Sequence, residues 1–158
     1  MRLTPQGLRV GQITLPCTMG RGGLSDAKRE GDGATPRGVL HIVGCLYRPD
    51  RTTAPAPWAR PILPGMLWSD AADDPQYNHL VHAPYAPSHE TLRRADSLYD
   101  IVLITDWNWP DATPGAGSAI FFHQWRRPGY PTEGCLAFSR SDIRWLASVT
   151  PPGTPVLI

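Results

Sequence analysis

Residues 117–138 read Gly-Ser-Ala-Ile-Phe-Phe-His-Gln-Trp-Arg-Arg-Pro-Gly-Tyr-Pro-Thr-Glu-Gly-Cys-Leu-Ala-Phe. Two short apolar runs, 118–123 and 134–138, flank a polar loop punctuated by Pro128, Gly129, Pro131 and Gly134. The runs have the length and apolar content of strands, and the Pro and Gly residues constrain the path between them. His123 closes the first run and Cys135 opens the second. A Cys and a His on adjacent rigid elements are the minimum kit for a thiol nucleophile with its own base. The competing reading is a strand pair with a buried structural thiol, since free Cys is among the most buried residue types.

Working outward, 98–105 (Leu-Tyr-Asp-Ile-Val-Leu-Ile-Thr) is the strongest strand signal, apolar on both faces and therefore central. Residues 39–47 predict another strand, on which His41 and Cys45 fall four apart, on one side, in structural roles. Residues 8–18 predict one or two strands with a turn near Gly11. Residues 48–64 hold five prolines and predict an extended loop without a ladder, a candidate wall over a site. Residues 65–90 look irregular and rich in aromatic and polar side chains, suited to lining a sugar or peptide groove. A helical turn is expected over 90–96. A helix over 142–149 is capped by Ser139 or Ser141, and a last edge strand covers 154–158.

The chain has 158 residues and predicts one domain, 1–158, with 48–64 as a loop insertion. Eighteen Pro and 15 Gly argue against long helices and for a mainly β fold. The formal net charge of +1 excludes the basic field that nucleic acid demands, so no nucleic-acid partner is expected. Cysteines at 17, 45 and 135 match no zinc spacing. His79 and His82 lack further ligands, and Gly20-Arg21-Gly22-Gly23 lacks the spacing of a phosphate loop. Neither a metal nor a cofactor is expected. No run approaches a membrane span, and no N-terminal stretch has the shape of a secretory leader.

The order of several short motifs resembles the catalytic domain of L,D-transpeptidases, the YkuD-type enzymes that cross-link peptidoglycan. Thr35-Pro36-Arg37-Gly38 before a strand, Ala119-Ile-Phe-Phe-His123, Gly134-Cys135-Leu136, and the trailing Asp142 and Gly153-Thr154-x-Val156 carry the resemblance over roughly 35–158. Family members commonly carry Ser-His-Gly-Cys, where this chain has Thr132-Glu133-Gly134-Cys135. Ala137 stands where an Arg often follows the Cys, and the His-to-Cys interval is short. These departures are similar to a divergent, Pro-rich proteobacterial branch, some members of which join the first stem residue of a donor to diaminopimelate of an acceptor.

The resemblance implies a YkuD-like β-sandwich with a short C-terminal helix and a long Pro-rich loop. It implies a cysteine-dependent acyltransferase that is a monomer acting on stem peptides and glycan in the periplasm. Catalysis would fall to Cys135 as nucleophile, His123 as base and Gly134 beside the oxyanion. Glu133, Thr132, His89, Tyr99 and Asn108 are the candidate substrate-binding residues, and Arg126, Arg127 and Arg140 candidate partners for stem carboxylates. Two other functions use the same features: a peptidoglycan amidase or carboxypeptidase with the same Cys/His site, and a non-catalytic peptidoglycan-binding module.

Overall fold

The computed structural model describes residues 1–158. In chain order its strands are β1 (Arg2–Thr4), β2 (Gly7–Val10), β3 (Ile13–Leu15), β4 (Cys17–Thr18), β5 (Leu24–Ser25), β6 (Thr35–Pro36), β7 (Val39–Tyr47) and β8 (Arg60–Pro61). There follow β9 (Met66–Ser69), β10 (Leu80–His82), β11 (His89–Thr91), β12 (Ile101–Thr105), β13 (Phe121–Gln124), β14 (Leu136–Phe138), helix α1 (Arg140–Val149) and β15 (Thr154–Leu157). The expected mainly β architecture with one short C-terminal helix is what the chain forms.

One large sheet runs β3-β2-β1-β15-β7-β12-β13-β14-β4, with β8 added beside β7. A small antiparallel sheet, β10-β9-β11, packs over it. The central strands separate two apolar cores. Ile101 and Leu103 of β12 and Phe122 of β13 pack with Leu136, Phe138, Ile143 and Leu146 on the helix side. Val102 and Phe121 pack with Ile62, Met66, Trp68 and Leu92 on the small-sheet side. The period-2 alternation of strands assigns each side chain to its core. Helix α1 starts at Ser139, whose hydroxyl accepts the Asp142 N–H at 3.0 Å.

Several expectations are corrected. Residues 65–90 are not irregular, since β9, β10 and the start of β11 lie there. The turn expected over 90–96 is not helical, because His89–Thr91 pair with Leu67–Ser69 of β9. Pro61 does join a ladder, paired with Tyr47 for two residues only. The loop over 48–64 lines no part of the cavity described below. Strand β15 is internal, between β7 and β1. Pro155 is tolerated there because β15 meets β1 at one register point, Arg2 with Leu157, beyond the residue that lacks an N–H. His41 and Cys45 do not share a face. The β7–β12 register skips Val43, and this bulge flips the alternation. Cys45 joins Ile42 in the helix-side core, and His41 pairs instead with Asp106, Nδ1 to Oδ2 at 2.8 Å.

Candidate active site

Strands β13 and β14 lie parallel, Phe122 opposite Leu136 and His123 opposite Ala137. Phe122 and Leu136 face the helix-side core. Their neighbours therefore face the other way, and His123 and Cys135 emerge on the same side, diagonal to each other. Both line one cavity of about 330 Å³ under the small sheet. Ala137, fully buried opposite His123, leaves room for the imidazole.

Each side chain is held by the backbone around it. His123 Nδ1 lies 2.8 Å from the Gln124 carbonyl. A carbonyl only accepts, so Nδ1 carries the proton and Nε2 is left as the basic nitrogen. Tyr99 meets the imidazole edge-on, ring centroids 5.3 Å apart, and Arg94 sits 5.2 Å over the Tyr99 ring. The Cys135 thiol donates to the Ala119 carbonyl at 3.1 Å and accepts from the Phe121 N–H at 3.4 Å. It makes no hydrogen bond to His123. Burial pushes the Cys135 thiol up to about 12 and holds the His123 imidazole down to about 4. The resting pair is thus a neutral thiol and a neutral imidazole.

The carbonyl that holds Cys135 comes from a left-handed residue, Ala119 at φ +50°. Asn78, 2 % exposed, secures that turn. Its Oδ1 accepts from the Ala119 N–H at 3.0 Å and from Trp68 Nε1 at 2.9 Å. Its Nδ2 donates to the Trp107 and Asn108 carbonyls at 2.9 and 2.7 Å. On the other flank, Gly134 sits at φ +139°, and a Cβ there would meet the Ala34 carbonyl oxygen at 2.8 Å. The Thr35 hydroxyl donates to the Gly134 carbonyl at 2.8 Å and accepts from the Gly20 N–H at 2.9 Å. The Thr35-Pro36 turn therefore lies directly beneath the Cys135 segment. The Cys135 N–H makes no hydrogen bond within the chain, which leaves one backbone donor free beside the thiol.

A family model, the YkuD L,D-transpeptidase catalytic domain, matches residues 6–158, nearly the whole chain. The chain belongs to the YkuD family. Comparison with curated proteins and with solved structures returned no match. YkuD domains are L,D-transpeptidase-type peptidoglycan enzymes acting on stem peptides. In this YkuD domain no helix is long and apolar enough to cross a membrane.

The other residues singled out from the sequence divide sharply. Tyr99, Thr132 and Glu133 line the cavity with Cys135 and His123. The Thr132 hydroxyl is engaged by the backbone, donating to the Cys135 carbonyl at 2.6 Å and accepting from the Gly134 N–H at 3.1 Å. Glu133 sits at the rim, forked by Arg21 Nε at 2.8 and 2.9 Å. His89 and Asn108 are not brought to the cavity. His89 lies on the outer face of β11, beside Tyr85, with Nδ1 on the Pro87 carbonyl at 2.7 Å. Asn108, at φ +51°, closes the 106–118 loop through the Thr113 and Gly117 carbonyls, both at 3.0 Å. Arg126 lines the cavity, whereas Arg127 stacks on Tyr130 and Arg140 donates to the Arg51 carbonyl.

Sequence reading missed Glu90, Asp70, Glu30 and Arg94, all of which line the cavity. Glu90 carried a signal of a kind. It alternates with Leu92, an apolar core residue, and so shares the inward face once 89–91 is read as a strand. No group of three or more His, Cys, Asp or Glu side chains is placed to hold a metal ion.

Proposed function

We propose that this protein is a peptidoglycan L,D-transpeptidase working through a cysteine acyl-enzyme, with Cys135 the nucleophile and His123 the base. One observation carries this reading: the two side chains face one cavity, His123 from β13 and Cys135 from the residue that leads into the adjacent parallel β14, with Nδ1 of the imidazole tied to the Gln124 carbonyl and Nε2 free to act. Hydrogen bonds of this kind tighten when substrate arrives. To give up its proton to Nε2, the thiol leaves the Ala119 carbonyl on which it rests. The imidazole takes the S–H proton as sulfur attacks a stem-peptide carbonyl carbon. The free Cys135 N–H, with Gly134 allowing close approach, stabilises the oxyanion, and one such donor supplies about 3 kcal/mol in related acyl transfer. The imidazolium then protonates the leaving amine. A second stem peptide's amine attacks the thioester, which yields the cross-link and restores the thiol.

Tyr99 packs against the imidazole and fixes its orientation. Thr132 holds the Cys135 segment, and Glu133 and Arg126 stand at the cavity where stem-peptide charges enter. The Thr132-Glu133-Gly134-Cys135 sequence supports the finer assignment of a donor joined through its first stem residue to diaminopimelate of the acceptor. The substrate places the enzyme's action in the periplasm.

Incubation with purified disaccharide-peptide muropeptides, read by mass spectrometry, tests the assignment. Wild type is expected to make dimers and Cys135→Ala none. Identical products from the two proteins sink the proposal. Net loss of pre-formed dimers, dependent on Cys135, would identify a hydrolase in its place. Fragmentation of the dimer identifies the donor residue.

A further inference from the structure

The cavity wall opposite Cys135 is acidic. Glu90 pairs with Trp68 across β11 and β9, and opposed residues share a face. Trp68 meets Phe121 of β13 edge-on at 5.0 Å, so this face of the small sheet is the one turned to the catalytic strands. Asp70, two residues past Trp68, continues the same face, and Glu30 reaches the cavity from the loop before β6.

These carboxylates are incompletely neutralised. Arg94 lies 3.7 Å from Glu90 Oε2, but its guanidinium is forked onto Asp96 at 2.9 and 2.8 Å. Glu30 accepts from the Tyr77 hydroxyl. Asp70 Oδ1 is buried without any hydrogen-bond partner. No three of these groups converge as metal ligands. Such a wall opposes a resting thiolate, and Glu90 adds to the burial that holds the Cys135 proton in place. It favours a cation arriving beside Cys135, and the reaction proposed above has one, the ammonium of the acceptor.

We propose that Glu90, flanked by Asp70, receives the acceptor's ammonium group and takes the proton that must leave before the amine attacks the acyl-enzyme. This rests on the acyl-enzyme reading given above. The ammonium gives one proton to the Glu90 carboxylate and becomes a neutral amine. Its lone pair attacks the thioester carbon, the C–N bond forms and the C–S bond breaks. The second N–H proton passes to His123 Nε2 and on to the departing Cys135 sulfur. Glu90 then releases its proton to solvent. Partial desolvation raises the Glu90 carboxyl, as do Asp70 and Glu30, while Arg94 and the Tyr99 hydroxyl oppose the rise. A raised carboxyl is better matched to holding that proton near neutral pH. Water needs no ammonium site, so the wall biases the acyl-enzyme toward transfer over hydrolysis.

The test separates the half-reactions in the full chain. The Cys135 acyl-enzyme is formed with a tetrapeptide muropeptide, followed by mass spectrometry, and chased with glycinamide, an ammonium at neutral pH, or with hydroxylamine, uncharged there. In Glu90→Gln, the acyl-enzyme is quantified first, so that each transfer rate is read per acylated molecule. Glycinamide transfer should fall by about a hundredfold, the range of a lost general base, while hydroxylamine transfer is retained. The glycinamide pH profile should lose its acid limb, Glu90→Asp should recover part of the rate, and product should shift to hydrolysed monomer. Glycinamide transfer within about twofold of wild type, or an equal loss with both amines, overturns the proposal. Should Glu90→Gln fail to fold, Asp70→Asn is expected to give the same split between amines in weaker form, and an equal loss with both overturns it. Absence of any Cys135 adduct in wild type sinks the acyl-enzyme reading itself, and this proposal with it.

Discussion

His123 and Cys135 are each buried in the neutral form, and that sets their pH behaviour. Above about pH 6.5 the imidazole is neutral whether the chain is folded or unfolded. Between 6.5 and about 4 only the unfolded chain gains the proton, because burial holds His123 down in the fold. Stability therefore declines as pH falls through that window, by up to roughly 3 kcal/mol from this one residue. His123→Gln is expected to lose activity and to flatten that decline, as read by urea unfolding at pH 7 and pH 4.5. An equal pH dependence in both proteins would show that His123 is not buried as a neutral base. Cys135 titrates in the opposite sense. Its thiol is held up to about 12, so its contribution is present below the usual thiol range and is lost as pH rises through it. In the mechanism proposed above, activity near neutral pH depends on His123 taking the proton as substrate binds, with no standing thiolate.

At the scale of elements, the site is made by two short strands and the turns that lead into them. Ala119 holds a left-handed conformation that costs about 1–3 kcal/mol for a residue with a side chain, and it persists because Asn78 bonds both sides of the turn. Asn78→Ala leaves the Ala119 N–H, the Trp68 indole N–H and two carbonyls without partners. It is expected to destabilise the fold by roughly 3 kcal/mol, at the upper end for one buried polar cluster member, and to slow Cys135 acylation more than a core substitution of equal cost. Denaturant midpoints and single-turnover acylation check both parts. Unchanged acylation in the folded variant would mean the turn does not position the thiol. The strand at 39–47 was readable from apolar content and β-branching alone, and so were the strands within 98–105 and 134–138, which begin later than expected, at Ile101 and Leu136. The segment 89–91 was not, because three residues carry too little pattern to separate a strand from a turn.

Over the whole molecule, the central strands divide a core under α1 from a core under the small sheet, and the cavity opens only on the second side. This gives a paired test. Leu146 and Leu92 are both fully buried, one in each core. Leu146→Ala and Leu92→Ala should each cost about 2–5 kcal/mol. Leu146→Ala should keep its activity per folded molecule, while Leu92→Ala, two residues from Glu90 on the same face, should lower cross-linking. Equal activities at matched folded fractions would show that the small sheet does not shape the site.

The family, and the Cys135/His123 pair as its candidate site, were legible in the chain because their signals are local: a His ending one apolar run, a Gly-Cys opening the next, and the Thr-Pro turn and trailing helix in family order. Long-range pairing supplied the rest. Strand β15 became internal because β1, from the far end of the chain, docks on it. The bulge at Val43 separated His41 from Cys45. The register of β11 on β9 turned Glu90 inward and His89 outward, since a strand's two faces are interchangeable until a neighbour buries one of them.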